Sequence, residues 1–170
     1  MEYARWARRA PGYAPNTRHC MYGLDADLIM LALVTHEPHF CLLREVVQYG
    51  GGGRGQPARE VLENPCAEHF VLLQIGLLRD YFDAEFRHLK ESLPFPYDLE
   101  RVVDDFVLFC MLTGNDFLPA LPTVDIGEGS LDAVFKLYKA MLPRLGGYLT
   151  HAGELHRGRL EAFLQALSAD

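Results

Sequence analysis

The sequence predicts an α/β chain: a parallel strand–helix–strand segment, a glycine-rich connection, and then a mainly helical region. Three observations carry this. An apolar run from Cys20 to Leu24 stops at Asp25, helical spacing starts at Ala26, and a second apolar run starts at Phe40. Gly50 to Pro57 is rich in glycine, which marks a loop or linker. Beyond it, apolar residues recur at helical intervals.

In order, Met1 to Ala10 reads as the end of a helix bearing Arg5, Arg8 and Arg9, followed by a Pro-Gly-Tyr-Ala-Pro-Asn loop. Cys20 to Leu24 reads as a buried strand, Ala26 to about Val34 as a helix, and Phe40 to Val47 as a second strand. That order favours a parallel pair with a crossover helix. It puts Asp25 at the carboxyl end of the first strand, where open α/β sheets form their ligand sites. Residues 50–66 read as the connection. From Glu68 to about Leu89, Phe70, Leu73, Leu77, Leu78, Tyr81, Phe82, Phe86 and Leu89 keep helical spacing until Pro94 and Pro96. Asp98 is placed to cap the next helix. There Leu99, Val102, Val103, Phe106, Val107 and Cys110 form an apolar face, with Glu100, Arg101, Asp104 and Asp105 expected on a solvated face. The helix stops at Gly114, directly before Asn115-Asp116. Leu131 to Leu142 and Leu155 to Leu167 suggest two further helices, separated by Pro143 and Gly146-Gly147.

Composition narrows the function. Hydrophobic residues make up 49% of the 170, enough for a sizeable core. Sixteen basic and 23 acidic residues give a formal charge of −7, so the chain is not one that coats nucleic acid by charge alone. A nucleic-acid role needs a local basic patch or a partner segment. Cys20, Cys41, Cys66 and Cys110 include no Cys-x-x-Cys pair, which argues against zinc and for buried, reduced thiols. Arginines interrupt the first residues, unlike a signal peptide, and no apolar run reaches the roughly 18 residues that a bilayer requires. A soluble intracellular protein is expected, with no membrane partner.

Asp25, Asp27 and Asp116 each lie where a strongly apolar element ends. A strand-end Asp-x-Asp and a helix-end Gly-Asn-Asp can meet at one sheet edge. Three clustered carboxylates repel unless a cation is present. Mg²⁺, or Mn²⁺, suits hard oxygen donors, and two such ions about 4 Å apart can activate water and stabilise a leaving oxygen in phosphodiester cleavage. The alternative is that Asp25 only caps the following helix and that Gly-Asn-Asp is an ordinary turn. His36 and His39 flank a proline turn and read as surface or packing residues. Arg5, Arg8, Arg9 and Arg18 read as solvated, with a phosphate-tracking patch as the alternative. Tyr and Phe occupy core-type positions rather than a base-stacking platform.

The run Pro15-Asn16-Thr17-Arg18-His19-Cys20-Met21-Tyr22-Gly23-Leu24-Asp25-Ala26-Asp27-Leu28-Ile29-Met30-Leu31 resembles the Xrn family of 5′→3′ exoribonucleases. Further matches follow in the family's order: His36-Glu37-Pro38-His39-Phe40, Leu78-Arg79-Asp80-Tyr81-Phe82, Tyr97 to Phe106, Gly114-Asn115-Asp116-Phe117-Leu118-Pro119, and Leu142-Pro143 with Leu145-Gly146-Gly147-Tyr148. The resemblance covers nearly the whole chain apart from the glycine loop. It implies divalent-metal-dependent decay of single-stranded RNA bearing a 5′-monophosphate, one nucleotide at a time, as in mRNA turnover. Asp25 and Asp27 match the family's paired metal-binding aspartates, and Asp116 the one in its Gly-Asn-Asp motif. The implied fold is the α/β nuclease core shared with flap endonucleases and PIN domains, then a helical region. Residues 1–49 would be the C-terminal part of the nuclease N-terminal domain, and 67–170 the helical region.

Departures matter too. The family's further acidic residues and its basic 5′-phosphate pocket lie upstream of this chain. It therefore resembles the middle of a longer enzyme, and the segment alone is expected to be weakly active or inactive. Ala120 stands where the family usually has histidine. Tyr49 to Pro57 lacks the Cys-x-x-Cys of the zinc knuckle that nuclear members often carry, which resembles the cytoplasmic branch more than the nuclear one.

Two other readings compete. Haloacid-dehalogenase-like phosphatases also pair Asp-x-Asp with a later Asn-Asp, but normally place Thr or Val where Ile29 stands here. A non-catalytic module binding RNA or protein through a degenerate site is the second.

Overall fold

The computed structural model describes residues 1–45, 70–116, 118–120 and 130–169. The connection 50–66, the Tyr49–Pro57 stretch, Cys66 and Phe117 of the Gly-Asn-Asp motif lie outside the described residues. The chain divides into two units, Met1–Ala32 with Glu37–Gly76, and Leu33–His36 with Leu77–Asp170.

The first unit is built on a three-stranded sheet in the order β1-β2-β3, where β1 is His19–Tyr22, β2 Phe40–Glu45 and β3 Phe70–Gln74. Strands β1 and β2 are parallel, His19 opposite Phe40 through Tyr22 opposite Leu43, as the strand–helix–strand order predicts. Helix α1 is Glu2–Arg9 and the crossover helix α2 is Asp27–Leu33. Phe40 and Leu42 of β2 are buried. Glu37 is buried as well and is stabilised within the unit: the Tyr13 hydroxyl donates to it at 3.0 Å, and Arg8 lies 3.6 Å away. Arg8 is thus not simply solvated.

The helix expected from Glu68 does not begin there. Phe70–Gln74 forms a strand, antiparallel to β2, and helix α3 runs only from Ile75 to Phe86. A short apolar run has no periodicity of its own that separates strand from helix. Here five register pairs with β2, from Cys41 opposite Gln74 to Glu45 opposite Phe70, decide for the strand. A 3-10 turn, Arg87–Glu91, continues the chain to the prolines.

The second unit packs most of α3, α4 (Leu99–Leu112), α5 (Ser130–Leu145) and α6 (Arg157–Leu167) around aromatic rings. Phe86, Phe109, Tyr138 and Phe163 are all fully buried. The rings of Phe109 and Tyr138 meet edge-on at 5.0 Å, and Phe109 lies 5.1 Å from Phe163. Asp98 caps α4 as expected, accepting the Glu100 N–H at 2.9 Å. Helix α5 passes through Pro143 instead of ending before it, and stops where Gly146 turns left-handed, φ +67°. A hairpin that the sequence reading lacked, β4 (Thr150–His151) with β5 (Glu154–Leu155), precedes α6. Its two-residue turn, Ala152-Gly153, has positive φ at both positions, which suits tight hairpins.

Asp105 is the main correction in this unit. It was expected on a solvated face, yet it is fully buried. Its Oδ2 accepts from the Tyr138 hydroxyl at 2.6 Å and the Leu149 N–H at 2.8 Å. Its Oδ1 accepts from the Thr150 N–H at 2.8 Å and the Thr150 hydroxyl at 2.6 Å. One carboxylate therefore ties α4 to α5 and to the hairpin. Burial pushes its pKa up, against the pull of four donors.

The thiols also differ from expectation. Cys20 is exposed, Cys41 and Cys110 are half-buried, and all three are free. Burial raises the Cys110 thiol to about 11. Among the described residues, no helix is long and apolar enough to cross a membrane.

Candidate functional site

The ladder of β1 ends where the Gly23 N–H donates to Leu43 O at 3.1 Å. A Cβ on Gly23 would lie 2.4 Å from Leu28 Cδ1, the end of a flexible side chain that would have to shift to admit it. Leu24 and Asp25 then emerge into solvent, and Asp27 is half-buried. The structure places this pair at the open end of the strand, where water solvates Asp25. Asp25 Oδ1 accepts the Asp27 N–H at 2.9 Å, so Asp25 caps α2. The Asp27 carboxylate has no hydrogen-bond or ion-pair partner among the described residues.

Asp116 lies in the second unit, after helix α4 ends. Thr113 closes the helix and Gly114 reverses the chain with φ +94°. A Cβ on Gly114 would meet Ala120 N at 2.9 Å, so this turn needs glycine both for its dihedral and for space. Asn115 and Leu118 close the turn reciprocally: the Asn115 N–H donates to Leu118 O, and the Leu118 N–H to Asn115 Oδ1, each at 2.9 Å. The turn leaves Asp116 exposed. Asp25 and Asp27 therefore share the first unit, and Asp116 belongs to the second. Within either unit, among the described residues, no three His, Cys, Asp or Glu side chains gather as a metal site.

The second unit also holds a charged cluster that the sequence reading missed. His36 reads from the sequence as a surface or packing residue and Asp104 as part of a solvated face. Instead, the His36 ring sits between two carboxylates, Nδ1 against Glu100 Oε2 and Nε2 2.9 Å from Asp104 Oδ1. Arg79 of α3 grips Glu100 with both terminal nitrogens, one of them at 2.9 Å. The only signal was that Glu100 and Asp104, four apart, share one helix face; nothing local points to a histidine more than sixty residues away. Hydrogen bonds to Asp104 and then Glu100 raise the His36 pKa to about 9. Burial pushes Glu100 up, but the bonds from His36 and Arg79 outweigh it and bring it down to about 2.

This has a stability consequence. His36 titrates near 6.5 when unfolded and near 9 when folded, so the cluster's contribution is complete below pH 6.5 and lost as pH rises through 9. Glu100 is partly solvated, which discounts the pair to roughly 2 kcal/mol. Urea unfolding at pH 6.5 and 10 is expected to show wild type losing about 2 kcal/mol more than His36→Gln. Equal losses would mean that the cluster adds nothing.

Residues 1–46 match the family model described as the XRN 5'-3' exonuclease N-terminus, and residues 96–170 match that of the Xrn1 helical domain. The chain belongs to the Xrn family. It is 47% identical over 167 residues to 5'-3' exoribonuclease 1 of Schizosaccharomyces pombe (98% of this chain, 12% of the relative). It is 46% identical over 171 residues to 5'-3' exoribonuclease 1 of Homo sapiens (99% and 10%), and 43% identical over 179 residues to 5'-3' exoribonuclease 2 of S. pombe (98% and 18%). The Xrn chain here thus spans between a tenth and a fifth of the length of these relatives.

Proposed function

We propose that this Xrn segment is part of a metal-dependent 5′→3′ exoribonuclease that degrades 5′-monophosphorylated single-stranded RNA to mononucleotides. The observation that carries the reading is the match, in one order, of the nuclease N-terminus and helical-domain models to residues 1–46 and 96–170. In this reading residues 1–49 continue a PIN/flap-endonuclease-like core, and 67–170 begin the helical region. An upstream segment would supply the remaining acidic residues and the 5′-phosphate pocket, so residues 1–170 alone would be weakly active or inactive. The missing Cys-x-x-Cys in Tyr49–Pro57 supports the cytoplasmic branch over the nuclear one.

Asp25, Asp27 and Asp116 would hold the cations, Mg²⁺ or Mn²⁺, two in the complete enzyme. The donor set suits them. Asp27 and Asp116 are hard-oxygen donors with no partner among the described residues, and Asp25 commits only Oδ1 to its cap. When bound, such ions lower the pKa of water and stabilise the leaving oxygen. The chain's own part is to aim the carboxylates. The β1 end and the α2 cap fix Asp25 and Asp27, and the Gly114 turn fixes Asp116.

The test uses the full-length enzyme carrying this segment, with 5′-phosphorylated and 5′-hydroxyl RNA as substrates. Mononucleotide release from the phosphorylated RNA only, dependent on Mg²⁺ or Mn²⁺, is expected. Calorimetric Mn²⁺ binding should weaken about tenfold or more in Asp116→Asn, since a charged ligand is lost. Unchanged Mn²⁺ binding would remove Asp116 from the ligand set. Phosphate release from small esters would instead favour a phosphatase.

A further inference from the structure

We propose that Cys20 and Cys41 form a dithiol site that hydrogen peroxide oxidises to a reversible intramolecular disulfide. Cys20 of β1 lies directly opposite Cys41 of β2 in the parallel register, and both thiols are free. Opposed residues on neighbouring strands share one face of the sheet. Burial alternates along β1 and the start of β2, which shows which face this is. Cys20 and Tyr22 are exposed and Cys41 and Leu43 half-buried, whereas Phe40 and Leu42, which flank Cys41, are buried. Both thiols therefore stand on the more open face of the sheet, inside the first unit.

The thiols also interact. The Cys41 thiol turns across the ladder and donates to His19 O at 3.5 Å, one residue before Cys20. Burial raises the Cys41 pKa, and a hydrogen bond with the Cys20 thiol raises it further. Neighbouring strands run about 4.7–4.9 Å apart, within the roughly 4.4–6.8 Å that a disulfide spans between Cα atoms. The Cβ atoms must close to about 3.8 Å, so the bond draws the strands together locally, and a bond made under such strain is readily reduced again. Exposure orders the steps. The Cys20 thiolate attacks hydrogen peroxide, the O–O bond breaks, and the thiol proton leaves with the departing oxygen as water, giving Cys20 sulfenic acid. The Cys41 sulfur then attacks the sulfenic sulfur: the S–S bond forms, the S–O bond breaks, and a second water carries away the Cys41 proton. The two thiols lose two electrons, and the peroxide gains them. None of the proposed cation ligands takes part.

The experiment treats the full-length enzyme carrying this segment with hydrogen peroxide, blocks the remaining thiols with N-ethylmaleimide before unfolding, and reads the tryptic peptide 19–44 by mass spectrometry. Cleavage after Arg18 and Arg44 releases it, and no lysine or arginine lies between them, so one peptide carries both cysteines. It is expected to appear lighter by two hydrogens and free of maleimide, and dithiothreitol before the block should restore the doubly labelled form. The lighter peptide should form about tenfold or more faster in folded enzyme than in urea, where the strands no longer hold the thiols opposite each other. In Cys41→Ser it should vanish, with Cys20 trapped by dimedone as the sulfenic acid. Maleimide on both cysteines after peroxide, or equal rates in folded and urea-unfolded enzyme, would overturn the inference. Wild-type Cys20 passing to sulfinic acid without the lighter peptide would overturn it too, since Cys41 would then be out of reach.

Discussion

Asp105→Ala is expected to destabilise the second unit by about 3–5 kcal/mol, the range for breaking a buried polar network. The substitution removes one acceptor group and strands four donors: the Tyr138 hydroxyl, the Leu149 and Thr150 N–H groups, and the Thr150 hydroxyl. Each buried donor left unpaired costs about 1–3 kcal/mol, less whatever relaxation and water recover. The side chain also crosses three elements, so its loss loosens α5 and the hairpin from α4 together. For a chain of this size the melting temperature should fall by roughly 10 °C. Asp105→Asn separates charge from shape. Its remaining oxygen can serve both Thr150 donors, and its amide can donate to the Tyr138 oxygen, but the Leu149 N–H then meets another donor. About 2 kcal/mol is expected for it. Thermal and urea unfolding of the two variants measure this, and a loss under about 1 kcal/mol in Asp105→Ala would mean that water replaces the carboxylate.

The same residue shows where sequence reading reaches its limit. Val102, Asp105 and Phe109 lie three and four apart, on one stripe of α4, and Val102 and Phe109 are buried. The spacing was visible, but the charge drew Asp105 to the solvated side, because its donors come from residues 138, 149 and 150. Elements set by local chemistry were legible. The Asp98 cap and the Gly114 stop depend on residues within a few positions of each other, the β1–α2–β2 crossover depends on elements consecutive in sequence, and the structure has all three. Elements set by distant partners were not. Strand β3 exists because β2 accepts it as a neighbour, and His36 is charged because of a helix more than sixty residues on. In the site, the strand-end position of Asp25 and the turn before Asp116 could be read, but the solvation of Asp25 could not. Hydrophobic neighbours in sequence do not become neighbours in space where the chain leaves the sheet edge.

That solvated edge makes Asp25 and Asp27 separable by experiment. Asp27→Ala removes a carboxylate with no partner among the described residues, so the melting temperature should stay within about 1–2 °C of wild type, as for a substitution that leaves no buried group unpaired. Cleavage of 5′-phosphorylated RNA by the full-length enzyme should fall by about 10³-fold, the rate equivalent of roughly 4 kcal/mol of lost metal-ligand stabilisation. Asp25→Ala should lose activity on the same scale and also stability, about 1 kcal/mol, because the Asp27 N–H loses its cap. Asp25→Asn discriminates further. Asparagine caps a helix as well as aspartate does, so stability returns, but the neutral amide is a poor ligand for a hard divalent cation, so cleavage does not. A chain in which Asp25→Asn regains both would have an Asp25 that serves only the helix. One in which Asp27→Ala keeps processive cleavage would have no cation site at this strand end. The expected pattern, stability following the cap and cleavage following the charge, is one that neither a purely structural pair nor a purely catalytic pair produces.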